Sequence, residues 1–213
     1  MQNRVFLLLL LVCGFQQCIA QQILDKLTYQ LANDMLMDLH PQTNPVIIRG
    51  SCGNYQVQRS RPVSGDNSLL LVNQASSVGA RAVEEMVSAC SGTPERDAML
   101  KYFNKADINY MRSQVSMAKQ FVFNQKGIKQ AGVKIVMLDT LVALNKRLGW
   151  RAADTLQQRY GSRRVYGIGG LLFSLDHRKA LAVVSTDDGW NVYLYENTGS
   201  AWYRKATLQN GVC

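Results

Sequence analysis

The sequence predicts an α+β fold: an N-terminal helical block with a small hairpin, and a C-terminal antiparallel β-meander packed on the helices. Two observations predict it. From Gln22 to Tyr160 apolar residues recur mostly every three or four positions, the period of helices with one buried face. From Arg164 to Thr207 that spacing gives way to alternation by twos, in runs joined by Gly, Asn and Asp. Helices and strands are thus segregated, which favours α+β over a doubly wound sheet. The chain has 213 residues, without repeats or a long linker. It reads as one domain over 21–213, helical over 21–160 and sheet over 164–207.

Residues 1–20 read as a secretory signal peptide. Met1 to Arg4 is a short positive region, Val5 to Val12 is almost unbroken Leu, and Cys18-Ile19-Ala20 places small residues before a cut at Gln21. The apolar run is shorter than the roughly 20 residues a spanning helix needs, and no later stretch is apolar enough. The mature chain is expected to be secreted or periplasmic, without a transmembrane segment. No Asn begins an Asn-x-Ser/Thr acceptor site, which favours a bacterial exported protein.

Taken in order, Leu24, Leu27, Leu31 and Met35 make the stripe of a helix over Gln22–Leu39, stopped by His40-Pro41. Val46-Ile47-Ile48 and Tyr55-Gln56-Val57 flank a Gly-rich tip and predict a hairpin with Cys52 near its turn. Ser68 to Ala89 predicts a helix whose stripe is Val72, Ala75, Gly79, Ala82, Met86 and Cys90. Thr93-Pro94 starts a short one, by N-cap and first-turn proline. Asn104 caps the next, with Asp107 in its first turn and Gly127 at its close. Ile128, Ala131, Ile135, Leu138, Val142 and Leu148 predict another up to Gly149, and Trp150–Tyr160 a last one, stopped by Gly161. Val165–Leu175, Ala180–Ser185, Asn191–Tyr195 and Trp202–Thr207 predict the meander. Its turns are Thr186-Asp187-Asp188-Gly189 and Asn197-Thr198-Gly199-Ser200. Gly167-Ile168-Gly169-Gly170 lacks the Lys-Ser/Thr of a phosphate loop and predicts a strand bend or close packing.

At 47% hydrophobic and 18% charged, the chain is not disordered. Its formal net charge of +9 falls to +8 when Arg4 leaves with the leader. That sign favours a protein or an anionic envelope component as partner; nucleic acid fits an exported protein poorly. Basic residues are densest over Lys146, Arg147, Arg151, Arg159, Arg163 and Arg164, with Asp154 the one acid among them. This flank and the meander aromatics Tyr193, Tyr195, Trp202 and Tyr203, expected to face outward, form the candidate binding surface.

Cys52, Cys90 and Cys213 survive removal of the leader. Three thiols permit one internal bond, expected between Cys52 and Cys90, though pairs with Cys213 also fit. A loop of about forty residues so closed gains roughly 3–4 kcal/mol in the chain-entropy model. Cys213, last in the chain, is placed to cap a tail or link two chains as a disulfide dimer. The two histidines, His40 and His177, have no Cys or carboxylate at ligand spacing, so neither metal nor cofactor is expected.

Ala89-Cys90-Ser91-Gly92 resembles the Cys-Ser-Gly of cell-wall amidopeptidases. That likeness implies a hydrolase with Cys90 as nucleophile and His177 as base. The pattern departs in two ways: Ala89 stands where the family has an acid, and Cys90 ends its helix, where the dipole disfavours a thiolate. The four glutamates mark no glycosidase pair, although Glu84 or Glu85 with Asp187 or Asp188 stays open. The sequence therefore favours a non-catalytic exported binding protein, an envelope or secretion accessory or a periplasmic inhibitor. The hydrolase and a basic membrane-active protein are the alternatives.

Overall fold

The computed structural model describes residues 2–39, 69–72, 77–89, 93–162, 165–186 and 189–212. The helices are α1 (Gln2–Leu39), α2 (Ser77–Ser88), α3 (Pro94–Leu100), α4 (Lys105–Gln120), α5 (Leu138–Leu148) and α6 (Ala152–Tyr160). The strands are β1 (Leu69–Val72), β2 (Val133–Val136), β3 (Val165–Phe173), β4 (Lys179–Thr186), β5 (Gly189–Asn197) and β6 (Trp202–Val212). They form one six-stranded sheet in the order β2-β1-β3-β4-β5-β6. The first three are parallel and the remaining pairs antiparallel, so the α+β class and the C-terminal meander stand. The predicted hairpin and the Cys52–Cys90 bond lie outside the described residues, as do His40 and Cys213.

Two predicted helices are partly strand. Leu69–Val72 is β1, in the interior of the sheet, and Val133–Val136 is β2, at its edge. A run such as Leu69-Leu70-Leu71-Val72 is apolar on both faces, so it carries no period by which helix and strand differ. Leu70 and Leu71 are both fully buried, one toward each face of the sheet. In the second case Gly132 takes φ +81 and stops any helix entering from Ile128, and β-branched Val133, Ile135 and Val136 follow. The helical and extended segments are therefore less segregated than the periodicity suggests.

Most other local signals act as expected, although α4 ends at Gln120 and Gly127 closes a separate 3₁₀ turn instead. Thr93 accepts the Arg96 amide at 3.3 Å, and Asn104 with Asp107 forms a capping box. Gly161 ends α6 in the left-handed region. At the β5–β6 turn the Asn197 carboxamide accepts the Gly199 amide at 2.7 Å, with Gly199 at φ +94. Gly170 at φ +57 sits in a bulge of β3, where the register shifts between Gly169 and Leu172. A Cβ there would come 3.1 Å from Val83 and 3.2 Å from Val183, so the glycine run does serve a bend and a close approach.

The sheet is covered on both faces. On one, Leu31, Ala32, Met35 and Leu36 of α1 pack on Ile168, Phe173, Ala180, Ala182, Tyr193 and Tyr195. On the other, α2, α3 and α4 pack on Leu172, Leu181, Val183, Val192 and Leu194. A smaller core of Leu70, Val136, Leu144, Ala152 and Leu156 seats α5 and α6 at the parallel end.

Two glutamines close strand edges. The buried Gln114 side chain of α4 accepts the Phe173 amide at 3.0 Å and donates to the Phe173 carbonyl at 2.8 Å. On β2, Gln125 donates to the Val133 carbonyl and accepts the Ile135 amide, both at 3.0 Å. Each carboxamide stands in for a neighbouring strand. Buried backbone groups left without partners are costly, whereas exposed ones turn to water. We therefore expect Gln114→Ala to lower stability by about 2–3 kcal/mol and Gln125→Ala by less than about 1 kcal/mol. Urea unfolding of the two variants checks this; equal losses would refute the edge-closing role of Gln114.

Candidate functional site

The meander aromatics do not form a surface. Tyr193, Tyr195 and Trp202 are 5%, 1% and 4% exposed and belong to the core beneath α1, correcting the expectation that they face outward. The cause is pairing by size. Ala180 lies opposite Tyr195 and Ala182 opposite Tyr193, so small residues on β4 make room for rings that α1 then covers. Tyr203 is 41% exposed, yet its hydroxyl donates to Glu196, which also pairs with Lys205 at 3.4 Å. The bond from Tyr203 holds the Glu196 carboxyl below its ordinary range and raises the phenol.

Beneath the end of α1 lies a polar seam. Asp34 accepts the Trp202 amide at 2.8 Å, and Arg204 stacks on the Tyr193 ring at 4.9 Å. Partial burial, then the Asp34 charge, raises the Asp38 carboxyl, with Arg204 opposing. Burial first, and the Asp38 charge second, push the Tyr195 phenol up. The groups are held by the fold and serve to join α1 to β6.

His177 lies in the β3–β4 turn at φ +56, a backbone region that non-glycine residues adopt uncommonly. Its Nε2 is 3.3 Å from the Tyr110 hydroxyl of α4. Around it, Asp107 accepts the Leu175 amide and Asp176 accepts the Ser174 hydroxyl and the Arg178 amide. These bonds shape a tight corner in which the His177 ring has Tyr110 as partner. The suggested nucleophile, Cys90, lies outside the described residues. Among the described residues no three of His, Cys, Asp and Glu gather closely enough to hold a metal.

The basic flank is the surface that remains. Leu141, Leu144 and Leu148 turn α5 inward, so Val142, Lys146 and Arg147 face out. Gly149 at φ +53 ends α5, and the 3₁₀ turn Gly149–Arg151 leads into α6. That turn lifts Trp150 to 80% exposure, with the Arg151 guanidinium 5.2 Å from its ring centroid. Arg159 is exposed in the last turn of α6, while Arg163 and Arg164 lie outside the described residues. Among the described residues Lys146, Arg147 and Arg159 have no carboxylate or carbonyl partner. Other cations do: Lys134 donates to the Tyr160 carbonyl, Arg112 to that of Val87 and Lys179 to that of Tyr102. Sequence reading found the cations but took Trp150 only as the start of a helix. The signal available was Gly149, which puts the ring at a turn rather than on a stripe.

A cleft with a cavity volume of about 30 Å³ lies between α1, α4 and the β3 bulge, lined by Leu24, Thr28, Met117, Phe121, Gly169 and Leu171 among others. That is room for about one water. No helix among the described residues is long and apolar enough to cross a membrane. No family model, curated protein or solved structure matches the chain.

The buried phenol gives a pH signature. A folded-state value above the ordinary 10.0 means that Tyr195 stabilises fully below about pH 10, and that this contribution is lost as pH rises toward the folded value. Ultraviolet titration should show late phenol ionisation as the chain unfolds, and Tyr195→Phe should reduce that late step by one phenol; an undiminished late step would place Tyr195 in solvent.

Proposed function

We propose that this is an exported, non-catalytic binding protein that recognises an anionic partner through the basic flank beside its sheet. The observation that carries the reading is the exposed set Lys146, Arg147, Trp150, Arg151 and Arg159. Three of these have no carboxylate or carbonyl tie among the described residues, as holds for scattered lysines such as Lys26 and Lys101, and what sets the flank apart is that its exposed cations lie close together in the chain. An unpaired cluster of one sign costs self-repulsion and favours an anionic partner. The burial of Tyr193, Tyr195 and Trp202 moves the proposed surface off the sheet face, leaving the flank and the exposed edge around Tyr203.

Export is supported by the leader and by the site of its expected cut. The exported chain should then begin at Gln21, and its unreduced mass should fall by two hydrogens for one internal disulfide.

A phosphate-bearing ion-exchange matrix tests the binding surface. The variant with Gln at Lys146, Arg147, Arg151 and Arg159 should elute at clearly lower salt than a control with Gln at Lys26, Lys101, Lys105 and Lys126, four exposed lysines elsewhere. Equal elution of the two would reduce the flank to net charge alone and overturn the reading.

A further inference from the structure

The flank carries more than charge. Trp150 is 80% exposed at the apex of the turn joining α5 to α6, and Val142 is 56% exposed on the outward face of α5. Ala143, Lys146 and Arg147 are exposed on the same helix, and Arg151 adjoins the indole. Gly149 turns the chain at φ +53, and a Cβ built there meets nothing within 4 Å, so the turn stands clear of the rest of the fold. The result is a projecting indole with one guanidinium beside it and two more exposed cations on the helix that leads into the turn.

We propose that this tip is a peripheral docking site for an anionic phospholipid surface. A soluble polyanion would satisfy the cations but leave the indole and Val142 in water. A partner with an apolar groove would cover the indole but leave the surrounding cations without counter-charges. A lipid interface meets both needs. The indole settles at headgroup depth, where its apolar body and N–H are each solvated, and Lys146, Arg147 and Arg151 reach the phosphates. The charge is complementary, since a surface of anionic lipid attracts basic segments within a Debye length. This inference rests on the flank being the binding surface and adds the identity of what it meets.

Co-sedimentation of the exported protein with vesicles of phosphatidylcholine alone, and with phosphatidylglycerol added, tests it. Binding should require the anionic lipid and weaken as salt rises. Trp150→Ala should reduce affinity about tenfold, and Gln at Lys146, Arg147 and Arg151 together about a hundredfold. Trp202 is buried and Trp190 half-buried, so a blue shift of tryptophan emission on vesicles should come from Trp150 and vanish in Trp150→Ala. Binding indifferent to Trp150→Ala, including binding by a retained leader, would overturn the proposal, as would equal binding to neutral vesicles. If vesicles fail while flank-dependent retention on the phosphate matrix persists, lipid docking falls and the binding reading stands. If both fail, the binding reading falls with it.

Discussion

β3 has to serve two unlike neighbours, and the rest of the fold depends on how it does so. Over Val165–Gly167 it pairs with the parallel strand β1, and over Gly167–Phe173 with the antiparallel strand β4. Beyond Gly167 no described strand lies on its β1 side. The bulge at Gly169–Gly170 bends the strand there, and Gln114 takes up the Phe173 amide and carbonyl. A glutamine carboxamide sets a donor and an acceptor side by side in one plane, as a neighbouring strand does. Because Gln114 lies on α4, the bonds that close the edge also fix the helix over the sheet. The parallel and antiparallel halves thus become one sheet with a shared core.

The opposite face depends on a single helix. α1 meets β4 and β5 where Ala180 and Ala182 lie opposite Tyr195 and Tyr193, so the sheet presents a surface that four buried α1 side chains fill. Its position along the sheet is set by polar contacts to distant segments. Asn33 donates to the Gly127 carbonyl at 2.9 Å and accepts the Lys129 amide at 2.7 Å, while Asp34 takes the Trp202 amide. A Cβ on Gly127 would run into the Tyr29 ring, so the 3₁₀ turn Gln125–Gly127 can press against α1 only with glycine there. Gln125, in that same turn, closes the edge of β2. One short segment therefore holds both the first helix and the last strand of the parallel set.

Much of the architecture was legible because it is encoded locally. Capping at Thr93 and Asn104, the Gly161 stop and the Asn197–Gly199 turn depend on residues within a few positions, and each was read correctly. β1 and β2 were not, since a strand buried on both faces loses the alternation that marks it, and partner strands far away in sequence decide its state. Outward tyrosines were inferred by assuming that one face of the meander is wet. Alternation assigns residues to two faces but does not say whether both are covered, and here α1 covers one and α2–α4 the other. Of the candidate surface, the density of cations was visible in the sequence. The prominence of Trp150 was not, because it comes from Gly149 turning the chain out of α5.

The exposure of Trp150 is a property of how its support is built. α5 and α6 rest on their own core of Leu70, Val136, Leu144, Ala152 and Leu156, separate from the clusters that seat α1 and α2–α4. An indole displaced from that core would leave space beneath it. Instead Leu141, Leu148 and Tyr160 complete the packing, and the ring is held outside by a glycine conformation that a side-chain-bearing residue adopts only with strain. Hydrophobic burial gains nothing from such a ring, and neighbouring cations gain nothing from their own repulsion. Both costs are borne at one place on a well-packed support, where they can be changed without touching either large core. Beyond the Arg151 contact, packing gives no account of that tip, whereas the proposed contact with a surface at once apolar and anionic would.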